Sequence, residues 1–174
     1  MGVRVKTGDL FCVPLDDAAF GLGIIAAGWR PELYIVLFAE TVASPQAADV
    51  NTASLTPLLA SSSLDAKLFV GDWPILRRGT DSAAFSQPIY KVEEPDGTIA
   101  ESFDRKLRIP ISANVAERLQ YRKGVAPVRL EKALKAHHGF GEWLAHFDEL
   151  LYINVLRSNT VLTESGLLPT VRSN

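Results

Sequence analysis

Three strand-length apolar segments crowd the chain between Leu10 and Glu40, and they restrict the fold more than any other feature. Leu10, Cys12 and Pro14 alternate with Phe11, Val13 and Leu15, so the first segment is apolar on both faces and reads as a buried strand. After Asp16 and Asp17 come FGLGIIAAGW and ELYIVLFAE, rich in Ile, Val, Phe and Tyr and separated by Gly28 and Pro31. The three read as an antiparallel meander.

The Gly21-Leu22-Gly23 step inside this region bears on function. Gly21, Gly23 and Ala26 meet a relaxed dinucleotide fingerprint, and Glu40 lies at about the distance of a ribose-binding acid. A helix opening at Gly23 would, however, meet Gly28 and Pro31 within about two turns, too soon for a βαβ crossover. LDDAAF also separates the glycines from the first strand. They therefore belong at the start of a strand, where missing side chains permit a bulge or a sharp coil.

The Ala-, Ser- and Thr-rich stretch from Thr41 to Ser63 allows a short helix around Leu55 to Leu59. DAKLFVGDWPILRRG reads as a short strand, a Gly-Asp turn and an apolar pair at Ile75 and Leu76. PIYKVEEPDGTIAESF has two β-like arms around Pro95-Asp96-Gly97, a hairpin with an acidic tip.

From Ser112, a plausible N-cap, the period becomes helical: Val115 with Leu119, then Val128, Leu130, Ala133 and Leu134 between Pro127 and Gly139. Trp143, Phe147, Leu150 and Leu151 form a further stripe. The expected class is α+β: a mostly antiparallel twisted sheet or partly open barrel with two or three helices in the C-terminal third. With 174 residues, 47% hydrophobic and 22% charged, the chain suits a single globular domain over residues 1–156, followed by a poorly ordered tail over 157–174.

The single cysteine, Cys12, precludes an internal disulfide, and MGVRVKTGDLF lacks the apolar core of a secretory signal. Lys6 stands where a myristoylation motif wants Ser or Thr, and the apolar run Ala18 to Trp29 is too short to span a bilayer. A cytoplasmic location without a membrane partner is expected.

No residue set points to catalysis, a cofactor or a metal. His138 and His146 are eight positions apart with Gly139 and Gly141 between them, which is not a zinc spacing. Cys12 sits in an apolar strand with no nearby cation to activate it. Charge is uneven despite a net of −2. Glu93, Glu94, Asp96, Glu101 and Asp104 form an acidic block. Arg105, Lys106, Arg108, Arg118, Arg122, Lys123, Arg129, Lys132 and Lys135 follow, offset only by Glu117 and Glu131. The basic block straddles a strand and two helices without an aromatic stacking motif, so it reads as solvated surface and nucleic acid is disfavoured. The acidic block is the candidate for contact with a partner, because acidic loops steer association with basic surfaces.

The order GDLFCVPLDD, FGLGII, LYIVLF, GDWPIL and RLQYRKG leading to WLAHFDELL resembles the immunity protein 26 family of bacterial polymorphic-toxin systems. The likeness spans most of residues 6–152, excluding Thr41 to Ser63. It implies a mostly β domain with accessory helices that binds and inactivates a toxin made by the same or a sibling cell, without enzyme activity. In that frame Glu93, Glu94, Asp96, Glu101 and Asp104 would face a basic toxin surface, as a nuclease presents. Trp29, Trp73 and Tyr90 are possible anchors. The competing readings are an SH3-like module for a ligand or nucleic acid, and an enzyme joining Cys12 to a histidine.

Overall fold

The computed structural model describes residues 4–29, 31–46 and 49–169. Among them nine strands, β1 (Leu10–Pro14), β2 (Phe20–Trp29), β3 (Glu32–Val42), β4 (Pro57–Ser63), β5 (Ile75–Arg77), β6 (Ile89–Glu94), β7 (Gly97–Ser102), β8 (Arg108–Pro110) and β9 (Gly124–Val125), form two sheets, of six strands in the order β5-β1-β2-β3-β4-β9 and of three in the order β6-β7-β8. Neither is closed into a barrel, and the α+β class with an antiparallel-rich sheet holds. The chain divides into two compact units, Met1–Phe85 with Gly124–Tyr152 and Ser86–Lys123 with Ile153–Asn174.

In the first unit, β1 (Leu10–Pro14), β2 (Phe20–Trp29) and β3 (Glu32–Val42) form the expected meander, with β4 (Pro57–Ser63) beside β3. The glycines lie in β2, paired with strands on both sides, and the β2–β3 register shifts between Gly21 and Gly23. A Cβ on Gly23 would lie 2.4 Å from Phe11 Cζ and 2.6 Å from Leu37 Cδ2; one on Gly21 would lie 2.4 Å from Leu134 Cδ2. The sheet needs these gaps for its neighbours' side chains, which leaves no helix for a pyrophosphate. Glu40 accepts a hydrogen bond from the Thr56 amide at 2.9 Å.

Two local expectations are corrected in this unit. Residues 55–59 do not form a helix: a 3-10 turn at Thr52–Ser54 leads into β4, which gains backbone partners on β3 that a lone helical turn would lack. The segment expected as a strand before Gly71 is the helix α1 (Ala66–Phe69), and the apolar pair after it begins β5 (Ile75–Arg77).

The core of this unit sits between the sheet and α3 (Pro127–His137), which buries Leu130, Ala133 and Leu134. Pro127 opens α3, and Gly139, at φ +81°, closes it: the Gly139 amide donates to the Ala136 carbonyl and Phe140 to Lys135. Trp73, 1% exposed, stacks on Phe11 with ring centroids 5.4 Å apart, and its Nε1–H donates to Glu131 at 3.1 Å. The stripe from Trp143 to Leu151 is a 3-10 segment, Ala145–Leu150, burying Phe147 and Leu150.

In the second unit, β6 (Ile89–Glu94) and β7 (Gly97–Ser102) make the expected hairpin, and β8 (Arg108–Pro110) pairs with β7. Ile89 and Ala100 join Val115 and Leu119, at and just beyond α2 (Ala113–Glu117), and Val161 and Leu162 of α4 (Tyr152–Glu164) in one core cluster. The expected tail is therefore helical through Glu164, while residues 170–174 lie outside the described residues. Helix α4 ends at Gly166, φ +70°, whose amide donates to Thr163 while Leu167 donates to Leu162. The Ser, Asn and Thr residues of its interior have poor helix propensity, and burial of Val161 and Leu162 overrides it.

Candidate functional site

The acidic hairpin is built by a regular ladder of six residue pairs from Ile89↔Ser102 to Glu94↔Gly97, which leaves Pro95 and Asp96 as the turn. Pro95 pre-sets its backbone, and Gly97 takes φ +133°, a conformation that side chains resist. Glu93, Glu94 and Asp96 are exposed at this tip. Glu93 accepts from Thr98 Oγ1 at 2.8 Å and from the Tyr121 hydroxyl at 3.4 Å, while Glu94 pairs with Arg108. Asp96, at the apex, has no hydrogen-bond or ion-pair partner among the described residues.

The other two carboxylates are placed differently. Asp104 is half-buried below the hairpin, where a hydrogen bond from Ser102 Oγ at 2.7 Å leads the interactions that hold its pKa below the usual range. Glu101 is 4% exposed at the centre of the three-stranded sheet, opposite Tyr90 on β6 and Arg108 on β8. Its Oε1 lies 3.0 Å from Arg122 Nε and 3.8 Å from Arg105 Nε, and its Oε2 lies 3.4 Å from Arg108 Nη1. Glu101 is thus enclosed by the protein's own cations. Of the five acidic residues expected to face a partner, it is the one that centres an internal ion network.

The cations complete a cleft of about 460 Å³ lined by Lys91, Glu93, Glu101, Arg105, Arg108, Tyr121 and Arg122, together with Val92. Arg122 is fixed in its wall, donating to the Ser102 and Phe103 carbonyls at 2.7 and 3.0 Å with its guanidinium over the Tyr90 ring. Lys91 Nζ donates to the Ala116 carbonyl at 3.0 Å and lies 4.3 Å from the Tyr121 ring centre. In the sequence alone Arg105, Arg108 and Arg122 read as solvated surface, and neither Lys91 nor Tyr121 stands out. One signal was present: Arg105 follows Glu101 by four residues, and a hairpin register would set Arg108 opposite it.

The remaining candidates fall outside this site. Trp73 and Tyr90 are buried, whereas Trp29 is 40% exposed at the end of β2. Gly8 and Asp9, at the head of the family-like pattern, have structural roles. A Cβ on Gly8 would meet the Thr80 carbonyl at 2.6 Å, and buried Asp9 accepts from the Lys6 amide at 2.9 Å and pairs with Arg78 at 3.0 Å. Burial pushes the Cys12 thiol up to about 11, which keeps it protonated and weakly nucleophilic at neutral pH. His138 is held below the usual histidine range by burial and by the adjacent His137, and His146 packs edge-on against Phe147 with ring centres 4.6 Å apart. Among the described residues no three His, Cys, Asp or Glu side chains converge to hold a metal ion, and no helix is long and apolar enough to cross a membrane.

No family model, curated protein or solved structure matches the chain.

Proposed function

We propose that this chain is an immunity protein that binds a cognate polymorphic toxin in the bacterial cytoplasm and neutralises it by occlusion, without catalysis. The observation that carries the reading is the hairpin tip. Glu93, Glu94 and Asp96 are exposed together on a regular ladder, with Asp96 unpaired among the described residues. A preformed anionic tip loses little conformational entropy on docking and steers a basic partner such as a nuclease. Occlusion requires about 800 Å² on this side of the interface, more than the tip alone, so neighbouring hairpin surface must take part. The resemblance of GDLFCVPLDD and the segments after it to immunity proteins supports the class of partner.

Deleting the gene from its native strain, with the adjacent large open reading frame intact or also removed, tests protection directly. Poisoning only while the neighbour remains is the expected result. Normal growth of both deletions, even in dense co-culture with the parent, removes that pairing. With the toxin in hand, charge reversal at Glu93, Glu94 and Asp96 should slow association and weaken its salt dependence. Unchanged kinetics would move the interface elsewhere.

A further inference from the structure

The cleft beside the hairpin is lined by four cations and two carboxylates, and one of those carboxylates is buried. Glu101 offers two oxygens to three guanidiniums, at 3.0 Å to Arg122 Nε, 3.4 Å to Arg108 Nη1 and 3.8 Å to Arg105 Nε. Arg122 is built into the wall, but the side chains of Arg105 and Arg108 are 44% and 47% exposed at the mouth. Arg105 is also the one non-glycine at positive φ among the described residues, at +60°, where its amide donates to the Ser102 carbonyl at 2.9 Å. A left-handed arginine in a turn that glycine would fill without cost is a local expense that carries its guanidinium to the cleft.

We propose that this cleft binds a phosphoryl dianion. Glu101 orients the guanidinium forks from below; Arg108 also pairs with Glu94, yet the four cations outnumber Glu93, Glu94 and Glu101 by one, and Lys91, held by the neutral Ala116 carbonyl, lines the cleft with Arg105 and Arg108. A phosphoryl dianion brings two charges and three strong acceptor oxygens to several forks at once, whereas a single carboxylate brings one charge and two oxygens. The volume of about 460 Å³ exceeds that of a phosphate, so the group can carry a substituent. Tyr121, 55% exposed at the rim, offers that substituent a flat ring. The site stands independently of whether the hairpin tip meets a toxin.

The experiment is a titration of the ¹⁵N-labelled full chain with inorganic phosphate and with AMP, at constant low ionic strength held with chloride. Saturable shifts at the Arg105 and Arg108 side-chain Nε–H signals and at the Tyr121 amide are expected for phosphate. R105Q/R108Q should weaken binding about tenfold or more. AMP binding more tightly than phosphate, with the gain lost in Tyr121→Ala, identifies a nucleotide as the source of the group. Equal affinities identify free phosphate or a simple monoester. Shifts in the unsubstituted protein that do not saturate, shifts centred elsewhere, or equal affinity for succinate overturn the proposal. Because those readings use the unsubstituted protein, they hold even if R105Q/R108Q fails to fold.

Discussion

In β2, Gly23 lies against Phe11 and Leu37; near the end of β7, the central strand of its sheet, Glu101 lies among Arg105, Arg108 and Arg122. The first sheet is cut to shape by leaving side chains out, so that aromatic and aliphatic groups fill the space. Its core cluster includes Phe11, Trp73, Ile35, Leu37, Leu130 and Phe147. The second unit has a smaller apolar cluster and spends a central strand position on a carboxylate. Large apolar volume stabilises without direction, whereas a buried charge is costly unless its partners hold their geometry. The two units should therefore fail differently, and the ligand chemistry lies where the charge is.

The largest effect is expected from Phe11→Ala, which removes the ring stacked on Trp73 and should cost about 3–5 kcal/mol. Urea unfolding followed by tryptophan fluorescence is suitable, because Trp29, Trp73 and Trp143 all belong to the first unit. A loss below about 1 kcal/mol would break the view of that unit as packing-controlled. Glu101→Gln should cost about 2–3 kcal/mol by leaving the guanidiniums around it uncompensated. Amide exchange in β7 reads this in the second unit, and unchanged protection there would break the other half of the comparison.

Gly23→Ala forces a methyl group against the Phe11 ring and should cost about 1–3 kcal/mol, visible as a lower urea midpoint at unchanged slope. Glu131 gives a pH signature. Burial pushes its carboxyl up, but the hydrogen bonds from Lys135 and Trp73 and the charges of Lys135 and Lys67 together hold it below its ordinary 4.5. Below 4.5 the unfolded chain then binds the proton first, so this contribution is complete above that value and is lost as pH falls through the folded carboxyl's titration. Glu131→Gln should flatten the acid limb of the stability profile; a profile parallel to that of the unsubstituted protein would show no contribution. The smallest stability change, within about 0.5 kcal/mol, is expected for Asp96→Lys at the exposed tip, measured by thermal melting. A larger loss would mean that the tip holds the hairpin together.

Much of this was legible in the sequence. The meander follows from segments apolar on both faces, the hairpin from Pro95-Asp96-Gly97, and the end of α3 from Gly139, because strand alternation, turn torsions and helix caps are local properties. The same logic missed α4, although Gly166 closes it as Gly139 closes α3. A buried stripe containing Ser158 beside Val161 and Leu162 does not stand out by hydrophobicity. At the site, the exposed acids at positions 93, 94 and 96 were legible from the turn between them. Glu101 was not, since its burial depends on cations from β8, the preceding turn and the segment after α2.

By itself, the order of residues determined the α+β class, the strand role of Gly21 and Gly23, and the acidic hairpin with a basic segment after it. Only the tertiary structure decided that the chain forms two units and that members of the acidic and basic blocks meet around Glu101. The physical reason is range. Backbone torsion and side-chain periodicity act over a few residues, whereas the state of a charge depends on which distant groups share its few ångströms of low-dielectric space.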